Sequence, residues 1–220
     1  MSLLTTLTER GDLWSGQHWR QNQIAALSTG LPELDAILPG GGWPAAAMTE
    51  LFYQTAGQGE LRLLLPTLAH LSQTDVRWQV WCNAPFRPHG SALAHWGLRL
   101  DRLLLCQADS ETELSWTLEQ SLSSGGSQAV LAWVSQLDPR RLRRLQLAAE
   151  KNAVPLFLLR PARLQQQASM AALRLLIEPD NNERLHCRVL KRRGGWPGAD
   201  VRLSLPLVRD ANVAQDDDHG

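Results

Sequence analysis

The sequence predicts an α/β domain: a mostly parallel sheet flanked by helices and closed by antiparallel strands at its C-terminal side. Three observations carry this. Helix and strand patterns alternate between residues 48 and 159. Two continuous apolar runs, residues 129–134 and 154–159, have the character of parallel strands buried on both faces. After Pro161 the pattern turns to strands with few helices between them, at residues 172–177, 184–190 and 201–205.

Each element has a local cause. Residues 48–53 form a short strand-like run, followed by a loop of small residues from Thr55 to Gly59. Leu61, Leu64, Leu65, Leu68 and Leu71 then recur at helical spacing, with Pro66 predicting a kink. Residues 76–82 alternate as a strand, 91–96 form a short helix that Gly97 can end, and 103–106 form a short apolar strand. Ser110 and Glu113 make a capping box ahead of Leu114, Leu118 and Leu122, and Gly125-Gly126 ends that helix. Asp138-Pro139 reads as an N-cap with proline at the first helical position. Asp180-Asn181-Asn182 is a hairpin turn. Three regions follow: an arm or short helix at 1–27, one domain at 28–207, and an acidic tail at 208–220 expected to be disordered.

Composition narrows the function. The chain has 220 residues, 44% hydrophobic and 20% charged, with 22 basic and 22 acidic side chains. A zero formal charge removes the overall basic excess of a protein that grips nucleic acid mainly through phosphates. The only lysines are Lys151 and Lys191. Cys82, Cys106 and Cys187 are odd in number and form no CxxC pair, so neither a disulfide framework nor a zinc site is expected, and a reducing cytoplasm fits best. No signal peptide is visible, and no apolar run is long enough to span a bilayer.

A strand, a glycine loop and a helix is the layout of a phosphate-binding P-loop, which needs a lysine and then Ser or Thr after its last glycine. Here Gly57, Gln58 and Gly59 are followed by Glu60 and Leu61. A carboxylate at that point repels a triphosphate. The plainer reading, a tight βα turn, outweighs nucleotide binding, and neither cofactor nor metal is expected.

The segment from Thr29 to Pro44, with Thr29-Gly30, Leu34-Asp35, Leu38 and Gly40-Gly41-Gly42-Trp43-Pro44, resembles the stretch that precedes the P-loop of RecA-type recombinases. Residues 95–107 and Arg188-Val189-Leu190-Lys191-Arg192-Arg193 resemble later RecA segments in the same order. The resemblance implies a RecA-like core. More narrowly, Leu13-Trp14-Ser15-Gly16, residues 38–44, 59–66, 141–150 and 190–195 resemble the ImuA family. That would imply a cytoplasmic, SOS-induced, nucleoid-associated accessory factor of translesion synthesis and mutagenesis. Its partners would be RecA, ImuB and an error-prone DnaE-type polymerase.

The ATPase groups do not carry over. The RecA catalytic glutamate falls near Asn83-Ala84-Pro85, the Walker B aspartate near Trp133, and the γ-phosphate-sensing glutamine at Arg160. The expectation is therefore a pseudo-ATPase and no enzyme. The segment matching RecA's mobile DNA-binding loop, 161–170, is short.

A second resemblance is to SulA-type inhibitors of cell division, through residues 49–54, Leu63-Leu64-Leu65-Pro66 and Trp78-Gln79-Val80-Trp81. It would imply binding to FtsZ. The ImuA reading ranks first because SulA proteins lack counterparts of residues 29–44 and of the terminal hairpin. A DNA-dependent ATPase ranks last, and a direct DNA contact stays open. The candidate partner surface comprises Arg188, Lys191, Arg192 and Arg193 on the hairpin and Arg140, Arg141 and Arg144 on the helix after Asp138. Arginine suits charged interfaces because its fork pairs with carboxylates at two points.

Overall fold

A computed structural model describes residues 25–180 and 184–205. Residues 1–24 of the expected arm, the centre of the 180–182 turn and the tail lie outside them, as does the Leu13–Gly16 piece of the ImuA resemblance. A two-residue strand, β1 (Ala26–Leu27), pairs antiparallel with β2 (Trp43–Pro44). Between them lies the one-turn helix α1 (Pro32–Asp35). Asp35 takes hydrogen bonds from the Ser28 hydroxyl and the Thr29 N–H, at 2.7 and 2.9 Å.

The main sheet contains β3 (Met48–Tyr53), β4 (Trp78–Cys82), β5 (Leu103–Cys106), β6 (Ser127–Trp133), β7 (Leu156–Pro161), β8 (Leu173–Asp180), β9 (Arg184–Arg192) and β10 (Asp200–Ser204). Their order is β10-β9-β8-β3-β7-β6-β4-β5. The six strands from β8 to β5 run parallel, and β9 and β10 are antiparallel. Residues 172–177, read as an antiparallel closing strand, instead lie in β8, which is parallel to β3. The chain leaves β7 and crosses to the far side of β3 before returning, so the antiparallel hairpin starts one strand later.

Helices cover both faces. α2 (Glu60–Thr74) and α3 (Gly90–His95) pack with Leu51, Trp81, Leu131 and Leu159 on one face. α4 (Glu111–Ser123) and α5 (Pro139–Asn152) pack with Val80, Val130, Ala132 and Leu158 on the other. The strand interiors are therefore buried on both sides, which is why they read as unbroken apolar runs.

α2 continues through Pro66 without interruption. A Cβ at Gly30, whose φ is 74°, would sit 2.6 Å from the Pro66 Cβ, so the close approach of this loop to the helix requires glycine. Leu63, Leu65 and Thr67 are buried along with the expected Leu64 and Leu68, because residues 28–38 cover the outer side of the helix. The Thr67 hydroxyl donates to the Ser28 carbonyl at 2.7 Å. Ser110 caps α4 by accepting from the Glu113 N–H, while Glu113 accepts from Asp109, one residue earlier than a capping box requires.

Candidate functional site

The parallel strands end on one side of the sheet, where doubly wound folds bind ligands. Here the ends of β3, β4 and β6 surround a cavity of about 120 Å³, lined chiefly by Glu60, Leu61, Pro85, Phe86, Arg87 and Trp133. The glycine loop forms one wall. Gly57 and Gly59 take φ of 87° and 117°, the left-handed region that glycine enters freely. A Cβ at Gly59 would also lie 2.8 Å from Leu185 Cδ1.

Glu60 decides the electrostatics of this loop. Its side chain folds back and accepts the Gly57 N–H at 2.6 Å, and the Gln58 side chain accepts the Thr55 N–H at 3.2 Å. Backbone donors of the kind a P-loop turns toward phosphate are thus taken by the loop's own side chains. Glu60 is buried, and its Oε2 has no hydrogen-bond partner among the described residues. Burial, and then the Glu60 charge, push the Tyr53 hydroxyl pKa upward. Leu61 offers no hydroxyl for a metal ion.

The other positions compared above with RecA's ATPase residues make contacts that serve the fold. Asn83 adopts a φ of 54° and pins the Ala108 backbone, donating to its carbonyl at 3.1 Å and accepting its N–H at 2.8 Å. Trp133 packs against Trp81 with ring centroids 6.3 Å apart. Asp138 caps α5 by accepting the Arg140 N–H at 2.6 Å. Among the described residues no group of three or more His, Cys, Asp or Glu could hold a metal ion.

Arg160 turns into the sheet. It is fully buried and donates to Glu50 Oε1 at 2.5 Å and to Gln167 Oε1 at 2.6 Å. Arg174 donates to the other Glu50 oxygen at 2.7 Å and to the Gln167 carbonyl at 3.1 Å, with its guanidinium 4.8 Å from the Phe52 ring centre. Gln167 also donates to the Leu137 carbonyl at 3.1 Å, and Lys191 to the Ser169 carbonyl at 2.8 Å. Burial, and then the Arg174 charge, hold the Lys191 pKa below its ordinary value. The segment compared above with a mobile DNA-binding loop is thus tied down by Arg160, Arg174 and Lys191. Sequence reasoning overlooked Glu50. The signal was a lone acid inside the apolar run of β3, since a buried charge demands a partner.

Five of the candidate arginines find partners within the chain. Arg192 donates to the Ile37 carbonyl at 2.9 Å, Arg193 meets Glu150 at 2.5 Å, and Arg188 lies 3.6 Å from Glu178. Arg141 donates to the Glu111 carbonyl and the Thr112 hydroxyl, and Arg144 meets Glu119 at 2.5 Å. Two ion pairs, Arg141–Glu111 and Arg144–Glu119, therefore join basic α5 to acidic α4. Arg140 is exposed. Arg193 ties the hairpin to α5 through Glu150. Exposed apolar side chains include Leu104 and Leu105 on edge strand β5, and Val76, Phe86, Trp116 and Trp196 elsewhere. No helix among the described residues is long and apolar enough to cross a membrane.

Fold and loop define a doubly wound α/β protein whose phosphate-loop position is closed by its own glutamate. The profile of the cell division inhibitor SulA family matches residues 46–155. A cell division inhibitor SulA of Photorhabdus laumondii is 32% identical over 117 residues, covering 51% of this chain and 63% of that protein. The Edwardsiella piscicida SulA is 30% identical over 125 residues, covering 57% and 71%. The Serratia marcescens SulA is 28% identical over 116 residues, covering 53% and 68%. The chain belongs to the SulA family.

This overturns the ImuA reading and its translesion-synthesis role, together with RecA, ImuB and a DnaE-type polymerase as partners. Residues 29–44 and the terminal hairpin, which favoured ImuA, lie outside the matched stretch and do not count against SulA. Residues 49–54, 63–66 and 78–81, which carried the SulA resemblance, lie inside it. The matched stretch spans just under two thirds of the Photorhabdus relative's length.

Proposed function

We propose that this protein is a non-catalytic inhibitor of cell division of the SulA type, induced in the SOS response and acting in the cytoplasm by binding FtsZ. The observation that carries the reading is the family match over residues 46–155, the segment holding β3, the glycine loop, α2 and most of the parallel sheet. The core is a RecA-type domain that has lost nucleotide chemistry. Glu60 occupies the loop's own donors, and Asn83 and Trp133 stand where acids would be needed. Inhibition then rests on binding alone, through a surface rather than a reaction.

Induced expression in a rod-shaped bacterium should give filaments without septa. Purified protein should reduce the FtsZ that pellets with GTP, in proportion to its concentration. Normal cell length together with unchanged FtsZ pelleting would overturn the reading. ATP should neither bind at micromolar concentration nor be hydrolysed.

A further inference from the structure

Two of the three cysteines meet at the exposed edge of the sheet. Cys82 ends β4 and Cys106 ends β5, and the parallel register sets them directly opposite each other. Both side chains pack in the same hydrophobic layer. They differ in access. Cys82 is fully buried, whereas Cys106 is partly exposed on the outermost strand. Cys187, the third thiol, is fully buried in β9, across the sheet from the pair.

We infer that Cys82 and Cys106 form a reversible redox pair, in which a peroxide oxidises Cys106 and Cys82 resolves it into an intramolecular disulfide. In the first step the Cys106 thiol attacks the peroxide O–O bond, giving a sulfenic acid and releasing water or an alcohol. In the second step the Cys82 sulfur displaces the sulfenic hydroxyl, which leaves as water with the Cys82 proton, and the S–S bond forms. The peroxide takes up the two electrons lost by the thiols. Exposure assigns the first step to Cys106. Burial pushes the Cys82 thiol up to about 12, so it is a poor first nucleophile and reacts through its fixed proximity.

The edge position makes the reaction feasible. Neighbouring strands lie roughly 4.7–4.9 Å apart, slightly more than the roughly 3.5–4.5 Å between the Cβ atoms of a relaxed disulfide. Among the described residues β5 has no neighbouring strand on its outer side, so it can shift inward. A bond formed with such strain is readily reduced, which suits a regulatory link rather than a permanent staple. Closing it would tie the exposed strand bearing Leu104 and Leu105 to the buried β4.

The test treats the full-length protein with hydrogen peroxide, then maps peptides with and without reductant. Loss of two thiols per chain and a Cys82–Cys106 cross-linked peptide, both reversed by dithiothreitol, is the expected result. Cys187→Ser should form the same link, while Cys82→Ser should leave Cys106 as sulfenic or sulfinic acid. A link through Cys187, a link only between chains, or two free thiols persisting while Cys106 accumulates as sulfinic acid would each overturn the proposal. The wild-type map decides the matter even if a serine variant fails to fold.

Discussion

Replacing Glu50 by Gln should be among the most damaging single changes in the protein. Glu50 and Arg160 are wholly buried, and the Arg174 side chain is 10% exposed. Both guanidiniums face one carboxylate, at 2.5 and 2.7 Å. Glutamine keeps the shape but removes the charge, leaving two cations in an apolar layer with Phe52 and Leu176. Breaking a buried ion pair from one side costs about 3–5 kcal/mol, because the remaining charge is uncompensated. At about 2–4 °C per kcal/mol for a chain of this size, Tm should fall by roughly 6–20 °C. Urea unfolding should show the same loss with an unchanged slope. The triple change Glu50→Met, Arg160→Leu and Arg174→Leu should recover most of it, because an apolar replacement carries no desolvation cost. A loss under about 1 kcal/mol for Glu50→Gln, the range of an exposed pair, would refute the reasoning and mean that water reaches the guanidiniums.

Other expectations follow from the same geometry. Gly59→Ala adds a Cβ at φ 117° against Leu185, whereas Gly125→Ala at φ 72° meets only open space, so thermal melts should show the larger loss at Gly59. Equal losses would mean that Leu185 gives way freely. In the native state at pH 8 a disulfide reagent should label Cys106 first, with Cys82 and Cys187 reacting only on unfolding. Burial pushes both of those thiols up to about 12 from an ordinary 9.0, so the folded state holds their protons longer than the unfolded chain. Their contribution is complete below pH 9 and should be lost as pH rises toward 12, as read by denaturant midpoints. The Arg77 hydrogen bond holds the Asp75 carboxyl below its ordinary 3.8, so its contribution is present above that pH and lost as pH falls through the lowered value. Asp75→Asn should therefore remove about 0.2–1 kcal/mol at neutral pH and flatten the acid limb, the pair being largely solvent-screened.

Local chemistry was legible in the sequence because it depends on neighbours within a few residues. Residues 48–53 and 103–106 coincide with β3 and β5, and Asp138-Pro139 opens α5. The expectation that the loop holds no triphosphate rests on Glu60 and Leu61 alone. The tertiary structure decided the rest. Glu50, Arg160 and Arg174 lie 110 and 124 positions apart, and no short-range pattern links them. The basic hairpin read as a free surface because its partners, Ile37, Glu150 and Ser169, sit on segments far away in the chain. The parallel direction of β8 was hidden for a similar reason. An apolar run records that a strand is buried on both faces, but its direction depends on which side of β3 the chain crosses to reach.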